Sequence, residues 1–228
     1  MNQTEKHPIS GVCVITDTVV QSCWTHLQLA ELAMRGGARL IQLRDKTLPT
    51  RELFAIAVAL RTLTLAFGAR LIINDRVDIA LAADADGVHL GQTDLPIPAA
   101  RKILGEGKLI GGTASTLEEA VAVEKDGADY IGFGHIFPTT SKEKPSPPKG
   151  LEMLRQVVRA VRIPVIAIGG ITAENAREVI KAGAAGIAVI SAVAKAASPE
   201  AATKELVRLF ELNQEQNALK IAELPQKR

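Results

Sequence analysis

Short apolar runs recur along the chain, each followed by a longer stretch in which apolar positions return every three or four residues. The runs lie at residues 12–16, 40–44, 71–74, 87–90, 109–113, 130–133, 165–168 and 186–190. Runs of this length bounded by turn residues read as buried strands, and the longer stretches as amphipathic helices. After the second run, Leu53, Ile56, Leu60 and Leu63 form one apolar stripe, and Thr116-Leu117-Glu118-Glu119 has capping-box character. Several strands share an entrance: Gly36-Gly37-Ala38, Gly68-Ala69, Gly127-Ala128 and Gly183-Ala184 each precede one. Glycine there ends a helix in the left-handed region, and the small residue lets the chain pack tightly onto a sheet.

Strands alternating with helices predict a parallel α/β fold. Eight such units in a chain of 228 residues fit a single (β/α)8 TIM barrel, whose usual size is about 250 residues. A doubly wound sheet is the alternative, but no G-x-G-x-x-G follows the first run. The barrel is expected over residues 11–212, with an N-terminal extension at 1–10 and a polar C-terminal tail at 213–228.

Composition narrows the function classes. The formal net charge is +2 and aromatics make up 3% of the chain, so neither a broad basic field nor a stacking surface for nucleic acid is present. No apolar run approaches the ~18 residues that span a bilayer. The first ten residues hold Glu5, Lys6 and Pro8 and lack the apolar core of a secretory signal. Cys13 and Cys23 form no metal-ligand spacing and no disulfide framework, which suits a reducing compartment. A cytoplasmic protein acting on small molecules is expected. No exposed apolar helix face stands out, so the oligomeric state is not legible.

In such a barrel the active site lies at the carboxyl ends of the strands, and the polar residues gather there. The second strand leads into Gln42-Leu43-Arg44-Asp45-Lys46. Strand alternation puts Gln42, Arg44 and Lys46 on one face and Ile41 and Leu43 on the other. If the strand is buried, its two cations need anions, and no acidic cluster precedes them, so a ligand phosphate is the expected partner. A solvated comb of salt bridges is the alternative. The third strand ends in Asn74-Asp75-Arg76, the fourth in His89-Leu90-Gly91-Gln92-Thr93-Asp94, and the fifth in Gly112-Thr113. The sixth ends in Gly134-His135 and runs into Pro138-Thr139-Thr140-Ser141-Lys142.

Asp75 and Asp94 sit on neighbouring strand ends, where two carboxylates with phosphates and water can hold Mg2+. Taken singly, Asp75 could cap the helix that begins near Val77, and Asp94 could serve a turn. Gly169-Gly170 after the seventh strand and Ile190-Ser191 after the eighth fit the phosphate site common in these barrels, although Gly-Gly also makes ordinary tight turns. The loop at 137–150 is rich in Pro, Lys and Ser and is long enough to close over a ligand. His7 and His26 read as surface residues. His89 reads as a core or ligand-lining residue, and Cys13 as a small core hydrophobe.

These motifs together resemble the thiamine phosphate synthase family: Gln42-x-Arg44-x-Lys46, Asn74-Asp75, Gly91-Gln92-x-Asp94, Phe137-Pro138-Thr139-x-Ser141-Lys142, Gly169-Gly170-Ile171 and Val189-Ile190-Ser191. The resemblance runs from about residue 12 to 210. It implies a transferase that joins a hydroxymethylpyrimidine diphosphate to a carboxythiazole phosphate, releasing thiamine phosphate, diphosphate and CO2. It further implies that Gln42, Leu43, Arg44, Asp45, Lys46, Asn74, Thr113 and Lys142 bind the pyrimidine diphosphate. Among these, Arg44, Lys46 and Lys142 would stabilise the leaving charge. Thr139, Thr140, Ser141, Gly170, Ile190 and Ser191 would bind the thiazole phosphate, and Asp75 and Asp94 would hold Mg2+.

Three positions depart from the family pattern. Thr113 stands where Ser is common, Ser141 where Thr is common, and His135 where Pro is common. A related barrel, the thiazole tautomerase, carries His in a similar context but lacks the full diphosphate and metal set. Two further classes remain: a non-catalytic barrel that binds such phosphates, and a phosphosugar isomerase or aldolase. The last would need a strand-borne acid–base pair or Schiff-base lysine and would leave the carboxylate pair unexplained.

Overall fold

The computed structural model of the chain describes residues 9–139 and 146–222. Its strands are β1 (Gly11–Thr16), β2 (Leu40–Leu43), β3 (Arg70–Asn74), β4 (Gly87–Leu90), β5 (Leu109–Ala114), β6 (Tyr130–Gly134), β7 (Val165–Ile168) and β8 (Gly186–Val189). All pairings are parallel and follow sequence order, and β8 pairs with β1 to close the barrel. The helices α1 (His26–Arg35), α2 (Thr50–Ala66), α3 (Val77–Ala82), α4 (Ile97–Leu104), α5 (Leu117–Lys125), α6 (Gly150–Ala160), α7 (Ala173–Lys181), α8 (Ser191–Ala194) and α9 (Pro199–Ala222) surround it. The expected (β/α)8 TIM barrel is the observed fold.

Strand alternation divides the core in two. Val12, Val14, Ile41, Leu43, Leu71, Ile73, Ile131, Phe133, Ile187 and Val189 point outward and pack beneath the helices. Cys13, Ile15, Leu40, Ile72, Leu109, Tyr130, Ile166 and Ala188 point inward and fill the barrel. Ile9, placed by sequence in an extension, is buried in this inner core. The boundary drawn at residue 212 falls inside α9, which continues to Ala222 and packs against α1, α7 and α8.

The four glycines marking strand entrances sit one residue beyond a helix cap, with φ of +101° at Gly37, +62° at Gly68, +88° at Gly127 and +98° at Gly183. That conformation lets each helix stop and the chain drop into the barrel. Thr116 caps α5 by accepting from Glu119 N at 3.2 Å. The Glu119 carboxylate takes Ser115 N rather than Thr116 N, so only half of the expected capping box forms.

The amino-terminal face of the barrel carries two matching clamps. Asp86, before β4, accepts Leu71 N of β3 at 2.8 Å and Arg61 Nη1 of α2 at 2.8 Å. Asp129, before β6, accepts Ile110 N of β5 at 2.8 Å and Arg101 Nη2 of α4 at 2.6 Å. Each carboxylate thus ties a strand to a helix at the end opposite the polar cavity.

Candidate active site

A cavity of about 340 Å3 opens at the carboxyl ends of the strands. Gln42, Lys46, Asn74, Asp75, Asp94 and Thr113 line one wall, and Thr139, Gly170, Ile190 and Ser191 line the other. Cys13, Ile15, Tyr130 and Ile166 form an apolar floor. Thr140, Ser141 and Lys142 lie outside the described residues.

Lys46 Nζ lies 3.1 Å from Asp75 Oδ2. Asp94 Oδ2 accepts Gly91 N at 2.7 Å, which closes the turn after β4. Asp75 does not cap α3: the cap position is Arg76, and no side chain bonds the helix end there. Asp75 instead has φ +63°, an uncommon state for a residue other than glycine, at the point where its carboxylate enters the cavity. Burial pushes the Asp94 carboxyl above its ordinary value, and the adjacent Asp75 carboxylate adds to the rise, against the lowering by Gly91 N–H and Lys46. Two neighbouring carboxylates that disfavour each other's charge are an oxygen donor set suited to a hard divalent cation. Groups of three or more metal-binding side chains do not occur among the described residues. A Mg2+ ion held by two carboxylates completes its shell with ligand phosphates and water, so the pair fits that ion.

The remaining members of the 42–46 segment are placed differently. Gln42 faces the cavity, as alternation requires. Leu43 packs in the outer core. Arg44 lies just past the end of β2, and its guanidinium pairs with Asp17, at the end of β1, whose side chain is fully buried. The sequence reading left this cation without a protein anion; Asp17 supplies one. Asp45 turns away from the cavity. Its carboxylate accepts Thr18 Oγ1 at 2.7 Å, Thr47 N at 2.8 Å and Leu48 N at 2.9 Å. Burial would raise its carboxyl, but these bonds together hold it well below the ordinary range. Leu43 and Asp45 therefore offer a ligand only their backbone groups.

His26, read from sequence as a surface residue, is 3% exposed. Its Nδ1 lies 2.9 Å from Thr16 Oγ1 and its Nε2 3.3 Å from Asp45 Oδ2. His7 lies outside the described residues. His89, on β4, lies against the inner faces of β5 and β6, with Nε2 2.9 Å from Thr113 Oγ1 and Nδ1 3.2 Å from the Tyr130 hydroxyl. The ring has room because β5 and β6 carry glycine beside it. A Cβ on Gly111 would come within 2.5 Å of His89 Nδ1, and one on Gly132 within 2.7 Å of Cε1. Gln92 Nε2 donates to the Thr113 carbonyl, fixing the same residue from the solvent side. This support of Thr113 was invisible in the sequence because its parts come from three strands, although Gly111 and Gly132 hinted at a bulky neighbour. The Cys13 thiol is pushed up to about 12 by burial, so it serves as a floor residue and not as a nucleophile.

On the opposite wall, Gly169 and Gly170 have φ of +102° and +65°. They run so close to the chain after β6 that a Cβ on Gly170 would lie 2.4 Å from Pro138 O. Asn175 Nδ2 donates to Gly170 O at 2.9 Å, while Thr172 and Asn175 form the capping box of α7. The base of the 137–150 loop is closed by Lys149 N to His135 O at 2.8 Å and Gly150 N to Ile136 O at 3.1 Å.

Fold and site define a class: a (β/α)8 barrel enzyme with a cavity at the carboxyl ends of its strands, a cation-and-carboxylate wall and a glycine-rich wall. A family profile described as thiamine monophosphate synthase matches residues 12–193. The chain is 56% identical over 199 residues to a thiamine-phosphate synthase of Chlorobium luteolum, covering 87% of this chain and 92% of that one. It is 54% identical over 180 residues to a thiamine-phosphate synthase of Moorella thermoacetica, covering 79% and 86%. A solved thiamine phosphate pyrophosphorylase from Pyrococcus furiosus superposes with a TM-score of 0.82 at 46% identity, over 89% of this chain and 96% of that one. This chain belongs to the thiamine monophosphate synthase family, and it is a transferase.

Proposed function

We propose that the chain joins a hydroxymethylpyrimidine diphosphate to a carboxythiazole phosphate, giving thiamine phosphate, diphosphate and CO2. The observation that carries the reading is the convergence of Lys46, Asn74, Asp75, Asp94 and Thr113 on one wall of a cavity whose other wall holds Thr139, Gly170, Ile190 and Ser191. Two phosphorylated ligands then meet head to head between the walls. Gln42, Asn74 and Thr113 orient the pyrimidine, and Arg44, Lys46 and Lys142 counter the charge of its diphosphate. Thr139, Thr140, Ser141, Ser191 and the backbone at Gly170 and Ile190 hold the thiazole phosphate.

The displacement is dissociative. The C–O bond to the diphosphate breaks, the diphosphate leaves with the electron pair, and the pyrimidine-stabilised methylene cation is captured by the thiazole nitrogen. The thiazole carboxylate then leaves as CO2, and the electron pair of the broken C–C bond takes up a proton from water to complete thiamine phosphate. No enzyme nucleophile takes part, in keeping with a cavity whose one thiol is held protonated. The protein contributes alignment of the two reactants and fixed positive charge where negative charge grows. Asp75 and Asp94 would hold Mg2+, which when bound supplies further neutralisation of the leaving diphosphate. No described helix is long and apolar enough to cross a membrane. Cys13 and Cys23 are both free thiols, which supports a reducing, cytoplasmic setting.

The test measures diphosphate release and thiamine phosphate formation with and without the thiazole, before and after chelation of Mg2+. Release that needs both the thiazole and the metal, with product forming in step, is expected. Tight binding without release would leave a ligand-binding barrel. Proton exchange on the thiazole without coupling, lost in His135→Ala, would make the chain a tautomerase.

A further inference from the structure

We infer that Asp17 is a positioning residue for this reaction, holding the Arg44 guanidinium in the orientation that receives the pyrimidine diphosphate; the inference rests on the function proposed above. Asp17 follows β1 and is 0% exposed. Its Oδ1 accepts Val19 N at 3.0 Å and Val20 N at 3.3 Å, and its Oδ2 accepts Arg44 Nη1. The carboxylate is thus fixed by the backbone on one side and presents its other oxygen to the cation. Arg44 N also bonds Thr16 O at 3.1 Å, so main chain and side chain of Arg44 are both tied to the end of β1.

Adjacent residues repeat the arrangement: Thr18 bonds Asp45 at 2.7 Å, and Asp45 takes Thr47 N and Leu48 N. Residues 17–18 and 44–45 form a double clasp between the loops after β1 and β2. A buried ion pair is a weak way to join two loops, because desolvation offsets much of the attraction and an apolar pair would serve as well. The clasp makes better sense as a mount for the cation. A second observation points the same way. Arg44 Nε is buried and has no hydrogen-bond partner among the described residues. A buried unpaired donor is costly until an acceptor arrives. With Nη1 occupied by Asp17, Nε and Nη2 are the donors left; Arg44 is not itself among the residues lining the cavity, so the diphosphate must reach past Lys46 to meet that edge.

The test uses the full chain with saturating Mg2+, comparing wild type, Asp17→Asn, Arg44→Gln and the double variant. Asparagine keeps the acceptor for Val19 and Val20 N–H and removes the charge that aims Arg44. Asp17→Asn is expected to raise KM for the pyrimidine diphosphate about 10-fold, the scale of one weakened charge-assisted hydrogen bond. KM for the thiazole phosphate should stay within about 2-fold, because the glycine-rich wall is untouched. Adding Asp17→Asn to Arg44→Gln should change neither constant by more than about 2-fold, since the residue it positions is already gone.

A parallel rise in both KM values, a fall in KM for the pyrimidine diphosphate, or multiplied losses in the double variant would each overturn the inference. Should Asp17→Asn not fold alone, Arg44→Gln against the double variant still decides, because the double leaves no buried charge unpaired. A wild type that forms no thiamine phosphate would instead defeat the function itself, and the positioning role with it.

Discussion

Gly132→Ala tests whether the socket around His89 matters to the site. Gly132 lies within β6 and is not among the glycines with positive φ, so alanine is compatible with its backbone. The new Cβ would sit 2.7 Å from His89 Cε1 and 3.0 Å from Nε2, against the 3.4 Å at which ordinary contact begins, so the ring must give by about 0.7 Å. The ring is held at both nitrogens, by Thr113 at 2.9 Å and Tyr130 at 3.2 Å. A displacement of that size bends or breaks at least one of these bonds. Overpacking of this kind costs about 1–3 kcal/mol, of which replacing a strand glycine returns about 0.5–1. A net loss of about 1–2 kcal/mol lowers Tm by about 2–8 °C for a chain of this size. Losing the support of the Thr113 hydroxyl removes about 1 kcal/mol from pyrimidine binding, which raises that substrate's KM about 5- to 10-fold. Thermal melts and steady-state kinetics measure both. Gly107→Ala is the control, because a Cβ there meets nothing within 4 Å. If Gly132→Ala matches this control in Tm and in KM, the packing argument is refuted.

Asp94→Asn removes one anionic oxygen from the candidate metal pair; the Mg2+ concentration for half-maximal activity should rise at least about 10-fold, and an unchanged Mg2+ titration would exclude Asp94 as a ligand. Asp129→Asn weakens the clamp on Ile110 N and Arg101, with a loss of about 2 kcal/mol expected in urea titration and both KM values unmoved; unaltered stability would count against the clamp. Asp45 is held below its ordinary range, so it contributes stability above its unfolded value near about 3.9, and this is lost as pH falls through the folded value. Urea midpoints measured from pH 6 down to 2 should therefore fall less steeply in Asp45→Asn than in wild type; equal slopes would show that Asp45 does not carry acid sensitivity.

The barrel was legible because its signals are periodic and local. Alternation along 41–46 set Gln42 apart from Ile41 and Leu43, and Gly37, Gly68, Gly127 and Gly183 marked where helices stop. The wall residues Gln42, Lys46, Asn74, Asp75, Asp94, Thr113, Gly170, Ile190 and Ser191 were legible because a barrel gathers its strand ends at one face. What the sequence hid was pairing between distant segments. Nothing local distinguishes Asp17 from a solvated loop acid, yet closure of β1 onto β2 sets it against Arg44. His26 looked like a surface residue at a helix start until Thr16 and Asp45 were brought to its two nitrogens. Asp45 counted as one of a ligand-binding run, whereas its side chain serves the loop. For Asp17 and His26 the deciding partners lie ten or more residues away.

The two ends of the barrel use carboxylates in opposite ways, and that contrast separates stability from function. Asp86 and Asp129 each meet one guanidinium and one strand N–H, so their charge is matched within the protein. At the other end Asp75 and Asp94 lie together in the cavity wall, where among the described residues Lys46 and one backbone N–H oppose their charge, and Asp75 has φ +63°. Backbone strain and like-charge proximity both oppose folding. An arrangement that carries both costs at once, on the face where a barrel keeps its ligands, is what the proposed Mg2+ site would require. By the same reasoning Asp75→Asn or Asp94→Asn should raise Tm slightly in metal-free buffer while shifting the Mg2+ titration of activity at least about 10-fold upward, a combination that a purely structural pair would not give.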